Sequence, residues 1–192
     1  MKEKISDQIN RMDRIIEWVK VCDNKTAILM SVALIVPTFT IGTDWVLKKL
    51  EKILTLIVDA CKNGGEGYYF SWDNCFVLLF FCTTIVLTSV CLYYFILVLK
   101  AKTKENTYGN DIKENTLIHF NNISKIENFG LYKQQVSEET LEDYYEDLLS
   151  QTYINAKRCA EKYADYNNGI RWLCYEVISL VIFIVSLFFI TI

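Results

Sequence analysis

Along the chain, apolar and polar positions alternate between two patterns: long uninterrupted apolar runs, and stretches where apolar residues recur every three or four positions. From Cys75 to Leu99, CFVLLFFCTTIVLTSVCLYYFILVL, no charge interrupts 25 residues. That exceeds the roughly 20 that carry a helix across a hydrocarbon core. The run from Leu173 to Ile192 has 20 residues and a single acid, Glu176. Thr26 to Gly42 is shorter, 17 residues with Pro37 inside, but bundles tolerate proline in a span because neighbouring groups satisfy the freed backbone. These runs predict an all-α membrane protein with three transmembrane helices, at residues 26–42, 75–99 and 173–192.

The periodic stretches predict what surrounds the spans. In residues 1–25, Ile5, Ile9, Met12, Ile16 and Val19 fall on one helical face, which predicts an amphipathic N-terminal helix. In the loop at 43–74, Val46, Leu50, Ile53, Ile57 and Cys61 repeat that spacing, and Trp45, Tyr68, Tyr69, Phe70 and Trp72 have the composition of an interfacial aromatic belt. This loop helix either lies on the membrane face or packs on the spans. Residues 100–172 open with a polar connector to about Ser124. Ser137 then has the character of an N-cap, with Glu138 and Glu139 in the first turn. No proline follows, so the pattern predicts one long helix continuous with the last span, and Asn167, Asn168 and Gly169 are a hinge candidate within it.

Composition agrees with a membrane class: 52% of residues are apolar, and there are seven glycines and one proline. Lysine and arginine set the expected orientation. Arg11, Arg14, Lys20 and Lys25 precede the first span, Lys100, Lys102 and Lys104 follow the second, and Lys157, Arg158, Lys162 and Arg171 precede the third. Lys48, Lys49, Lys52 and Lys62 in the 43–74 loop oppose this without reversing it, so the N-terminus and residues 100–172 are expected in the cytoplasm. No signal-peptide pattern precedes the first span. The net charge of −3 gives no basic surplus for a phosphate backbone, so DNA and RNA are not expected partners. Seven cysteines are scattered without a C-x-x-C pair, and His119 is the single histidine. Neither a metal site nor a disulfide framework is expected; Cys61 and Cys75, flanking one loop, are the one pair placed to bridge. No phosphate loop, G-x-S-x-G or H-E-x-x-H occurs, so neither an enzyme nor a cofactor is expected. The carboxylates of EETLEDYYEDLL fit dipole compensation better than a metal.

Two groups of polar residues stand out. By 100-degree spacing, Gln151, Asn155, Arg158 and Lys162 share one face of the long helix, and Leu149, Tyr153, Ala156, Ala160 and Tyr163 share the opposite one. The apolar face is expected to pack. The polar face is either solvated or a phosphate and base site built from amides and cations. At the membrane junction, Glu176 sits one turn into the third span, at a depth similar to Lys25, with Arg171 nearby and Asp23 able to cap the first span. An intramembrane carboxylate usually finds a partner, so a Lys25 to Glu176 latch is expected, beside the plainer role of Lys25 as an interfacial anchor.

Three short segments, in order, resemble the small transmembrane effectors of the bacterial Pycsar anti-phage system. DNKTAIL before the first span resembles the family's membrane entry, carried by Asp23, Lys25, Ala27 and Leu29. TLIHFNNISKI after the second resembles an aromatic-Phe-Gly-Asp-Ile segment at Phe120 and Ile123, with Asn121 and Asn122 where the family tends to have Gly and Asp. LLSQTYINAKRCAEKYADYNNGIRW before the third is similar to a Gln-Ile-x-x-Asn-Ala/Ser-Lys-x-x-x-x-Lys-Tyr helix, carried by Gln151, Asn155, Ala156, Lys157, Lys162 and Tyr163. The resemblance implies an effector in the bacterial inner membrane that responds to cyclic UMP or cyclic CMP, made by a partner pyrimidine nucleotide cyclase, and then impairs the lipid bilayer. On that reading the polar face supplies the expected sensing residues, Gln151, Asn155, Arg158 and Lys162, with Tyr153 or Tyr163 stacking from a neighbouring chain of a homo-oligomer. The competing readings are an oligomeric channel or scaffold without a nucleotide ligand, and an effector triggered by a cyclic oligonucleotide.

Overall fold

A computed structural model describes residues 1–62, 72–100 and 116–189, without the side chains of Ala60, Cys61 and Trp72. The possible Cys61 to Cys75 bridge, the aromatic belt at Tyr68, Tyr69, Phe70 and Trp72, and most of the polar connector therefore lie outside what it describes. Among the described residues every regular element is helical: α1 (Lys2–Ile41), α2 (Asp44–Lys62), α3 (Trp72–Leu99), α4 (Phe120–Ile123), α5 (Phe129–Glu138) and α6 (Leu141–Phe189). Three of them, α1, α3 and α6, are long and apolar enough to cross a membrane. The protein is thus all-α, with an N-terminal helix that runs into the first apolar run and a long helix that runs into the last.

The start of α6 differs from the sequence expectation. Ser137 lies in the last turn of α5, where its hydroxyl donates to the Gln134 carbonyl at 2.8 Å. Glu139 is extended, with φ −63° and ψ 125°. Thr140 is the cap: its Oγ1 accepts from Asp143 N–H at 3.1 Å, and Asp143 Oδ2 accepts from Thr140 N–H at 3.3 Å. Two backbone donors are satisfied reciprocally by side chains three residues apart, which a serine followed by Glu-Glu-Thr cannot arrange. The expected hinge also differs, because α6 continues unbroken through Asn167 to Gly169.

The chain forms two compact units, Met1–Lys25 with Val98–Ala164, and Thr26–Leu97 with Asp165–Ile192. In the second unit the core is apolar. Val46, Leu50 and Ile53 of α2 are buried with Val77 of α3 and Leu180, Phe183 and Leu187 of α6. Of the two placements open for the loop helix, then, α2 packs on the spans. Lys49 Nζ donates to the Leu187 carbonyl at 2.5 Å and lies 5.0 Å from the Trp45 ring centre. A second cluster joins Ala33 of α1 to Cys91 and Phe95 of α3, with Tyr166, Trp172 and Leu173 of α6 against it. Here Gly169 has its explanation: a Cβ would stand 2.5 Å from Phe95 Cε1, so the ring occupies the space that any side chain would need. Cys91 Sγ donates to the Gly169 carbonyl at 3.5 Å in the same contact.

The first unit buries most of the expected face of α1, turned slightly toward Gln8 and Ile15. Ile5, Gln8 and Cys22 are buried and Ile9, Met12, Ile15 and Val19 half-buried, but Ile16 is 46% exposed. The buried positions follow alternating steps of three and four, a seven-residue repeat. Ile9 and Ile16 stand beside that seam, and Gln8 sits within it.

Candidate functional site

The site is built on α6 between its cap and Ala164, with α1 and the segment at Thr116 to Ile126 packed around it in the first unit. Buried positions on this part of α6 are Asp147, Leu148, Gln151, Ile154 and Cys159. Gln151 is only 3% exposed, while Leu149 and Tyr153, on the face expected to pack, are 42% and 48% exposed. Ala156 and Ala160 are exposed as well. The orientation of the helix therefore differs from that expected: the polar stripe turns inward, with Gln151 buried and Asn155, Arg158 and Lys162 half-buried, while Leu149 and Tyr153 of the apolar stripe face outward.

Interior polar groups need partners, because an unpaired one costs about 1–3 kcal/mol. Gln151 Nε2 donates to Thr116 Oγ1 at 3.1 Å, and both residues are buried. Asp147 Oδ2 accepts from the Leu117 N–H at 3.0 Å, tying the same segment one turn earlier on α6. Lys162 Nζ pairs with Asp23 Oδ1 of α1 at 2.6 Å. Asn155 is half-buried on this face, and half-buried Arg158 has Nε and one terminal guanidinium nitrogen out of solvent. His119 is buried, its ring 4.8 Å from that of Phe120. Next to Thr116 opens a cavity of about 530 Å³, lined also by Leu117, Asn122, Lys125, Leu131 and Gln135. Its volume lies within the roughly 300–1,000 Å³ typical of small-molecule sites.

Of the residues singled out in the sequence, Gln151, Asn155, Arg158 and Lys162 share this interior face. Tyr153 does not: its ring faces outward, with Lys157 Nζ 5.5 Å from its centre. Half-buried Tyr163 turns to α1, where its hydroxyl donates to the Trp18 carbonyl at 3.4 Å. Trp18, Ile15, Ala156 and Ala160 line a second, apolar cavity there, of about 520 Å³. Cys159 also lines it. Burial pushes the Cys159 thiol up and Lys162 pulls it partly back, so the sulfur stays a neutral, unreactive thiol at neutral pH.

Lys25 and Arg171 are exposed. The expected Lys25 to Glu176 latch would join the two units; within each unit, Asp23 is bound to Lys162 and Glu176 to Thr88. Thr116, Leu117 and Asp147 were not anticipated as parts of the site. The available signal was that Asp147, Gln151, Asn155, Arg158 and Lys162 continue one line at steps of three and four. A polar line of that length beside buried Leu148 and Ile154 marks an interior as readily as a wet surface.

Residues 67–190 match the model of the Pycsar effector protein domain. The chain is also similar to the Pycsar effector protein GmPycTM of Gulbenkiania mobilis, with 25% identity over 182 residues, covering 93% of this chain and 89% of that protein. No solved structure matches.

Proposed function

The chain belongs to the Pycsar effector protein family and is an anti-phage membrane effector; from that premise we propose that it senses a cyclic pyrimidine mononucleotide, cyclic UMP or cyclic CMP, and then impairs the integrity of the bacterial inner membrane. A pyrimidine nucleotide cyclase is the partner that supplies the ligand, the N-terminus is cytoplasmic, and the chain itself carries out no chemical step. The observation that carries this reading is the interior polar face of α6. Gln151, Asn155 and Arg158 offer amide and guanidinium groups in a partly dehydrated setting, and Thr116, the partner of Gln151, lines a cavity of about 530 Å³ together with Asn122, Lys125 and Glu127. Such groups bind phosphate and base edges more strongly there than in water.

A nucleotide entering this face re-partners groups that already bond one another, such as Gln151 with Thr116. Binding then favours whichever arrangement of the unit leaves those groups to the ligand, the differential contact that a switch requires. The outward apolar stripe of Leu149, Tyr153, Ala156 and Ala160 supports assembly into a homo-oligomer, in which Tyr153 reaches a neighbouring chain.

The test is calorimetric binding of cyclic UMP, cyclic CMP and a cyclic dinucleotide to the full chain in nanodiscs, with dye leakage from liposomes as the second readout. Arg158→Lys and Asn155→Ala are each expected to weaken binding about tenfold, the loss of one hydrogen bond to a charged group. Leakage indifferent to all three nucleotides, together with no binding heat, overturns the reading in favour of a channel or scaffold. A response to the dinucleotide alone replaces the ligand with a cyclic oligonucleotide.

A further inference from the structure

The second unit contains a polar group that nucleotide sensing does not use. Glu176 is 2% exposed and lies within the last apolar run of α6. Its Oε1 accepts from Thr88 Oγ1 of α3 at 2.9 Å, and its Oε2 is buried and has no hydrogen-bond partner among the described residues. One turn further along both helices, Thr84 Oγ1 and Ser179 Oγ lie 2.9 Å apart, and both side chains are buried. Thr84 and Thr88 are four apart on α3, and Glu176 and Ser179 three apart on α6, so the two cross-helix pairs stack on a single shared face. Each hydroxyl has a single proton and more than one acceptor within reach: Thr88 Oγ1 lies 2.9 Å from the Thr84 carbonyl as well as from Glu176, and Thr84 Oγ1 lies 2.8 Å from the Phe80 carbonyl as well as beside Ser179.

What the two helices share here is a line of oxygen atoms with more acceptors than protons, ending in a carboxylate oxygen. Hard oxygen donors without nitrogen or sulfur suit protons and hard metal ions rather than soft ones, and a single carboxylate balances one positive charge. A carboxylate held in a bundle with one of its two oxygens unbonded is costly, and in spans such groups mark ion pathways and proton relays. The Cys91 thiol, which donates to the Gly169 carbonyl, is a further titratable group within electrostatic reach of Glu176. We propose that Glu176, Thr88, Thr84 and Ser179 form an intramembrane binding position for a monovalent cation, either a proton or an alkali-metal ion. The proposal deepens the reading above by naming what crosses the membrane when the effector acts: cations, passing the Glu176 carboxylate.

Two measurements on the full chain in liposomes test it. The first is modification of Glu176 by dicyclohexylcarbodiimide, which reacts with protonated carboxyl groups in apolar surroundings, read by peptide mass. Modification that falls severalfold when NaCl or KCl replaces N-methylglucamine chloride at constant pH assigns an alkali-metal ion. Modification that falls only as pH rises assigns the proton. Modification indifferent to both, in protein whose Glu176 reacts in SDS, overturns the site. The second is the reversal potential of the nucleotide-triggered current under a KCl gradient. Wild type is expected to prefer cations, Glu176→Gln to lose that preference, and Glu176→Asp to retain part of it. If Glu176→Gln conducts with unchanged preference, the site is wrong while the effector reading stands. If nucleotides trigger no current but ions still protect Glu176, the effector reading fails and the site stands.

Discussion

The two units of this protein handle polar side chains in opposite ways. The second places large apolar residues such as Ile53, Phe95, Phe183 and Leu187 inside and apolar residues outside, and its buried polar groups are few among the described residues, such as Thr84 beside Ser179 and Glu176 beside Thr88. The first encloses a polar seam from Asp147 to Lys162 and turns Leu149 and Tyr153 outward. An apolar interior gains stability from burial in proportion to area and holds one close-packed arrangement. A polar interior gains little net energy, but it depends on every partner being present, so exchanging one partner for a ligand group changes the whole arrangement. Rigidity is therefore concentrated in the unit that holds the apolar core, and responsiveness in the one that holds the polar face.

If that contrast is right, the largest effect belongs to the close contact of the spanning unit. Gly169→Leu forces a side chain into the space of the Phe95 ring, and overpacking of this kind costs about 3 kcal/mol. It is expected to lower the unfolding midpoint in detergent, and Phe95→Ala in the same chain should recover part of the loss. Recovery in the double variant is the decisive readout, because a general helix-propensity effect would not produce it. Asp147→Ala comes next, at about 1–2 kcal/mol, from the part-buried Leu117 N–H left without its acceptor. The increase in amide hydrogen exchange should be confined to the first unit, and spread into α2 and α3 would break the contrast. Tyr153→Ser should change the stability of the single chain by less than about 0.5 kcal/mol, as for an exposed site. Its expected effect is on assembly: native mass spectrometry in nanodiscs should show smaller species than wild type.

The spans were readable in the sequence because an uncharged run of 25 residues has few alternatives. The cap of α6 was readable in principle, since Thr140 and Asp143 have the spacing of a reciprocal box, but Ser137 with two following glutamates gave a competing signal. The residues of the polar face were grouped correctly by angular arithmetic, which says who shares a face. It does not say which face is inside. The usual rule that the apolar stripe packs failed on α6 for Leu149 and Tyr153, because Asp147, Gln151 and Lys162 have partners at Leu117, Thr116 and Asp23, far away in sequence. Glu176 drew notice as the single acid in its run, whereas Thr84, Thr88 and Ser179 did not. Hydroxyls in a span routinely bond back to their own helix, and only the packed geometry distinguishes those that also reach across.

The contact at Gly169 acts as an index mark between two helices. Sliding α6 past α3 by one turn would bring Asp165 or Leu173 to the Phe95 ring, and sliding by three residues would bring Tyr166 or Trp172. None of these leaves the vacancy that the ring fills. Screw-like and piston-like displacements of α6 against α3 are thereby closed off, whereas tilting about the contact keeps the ring seated. The spanning helices of this effector are thus built to pivot at a fixed register, with the Glu176 and Thr88 pair two turns from the fulcrum on α6 and α3.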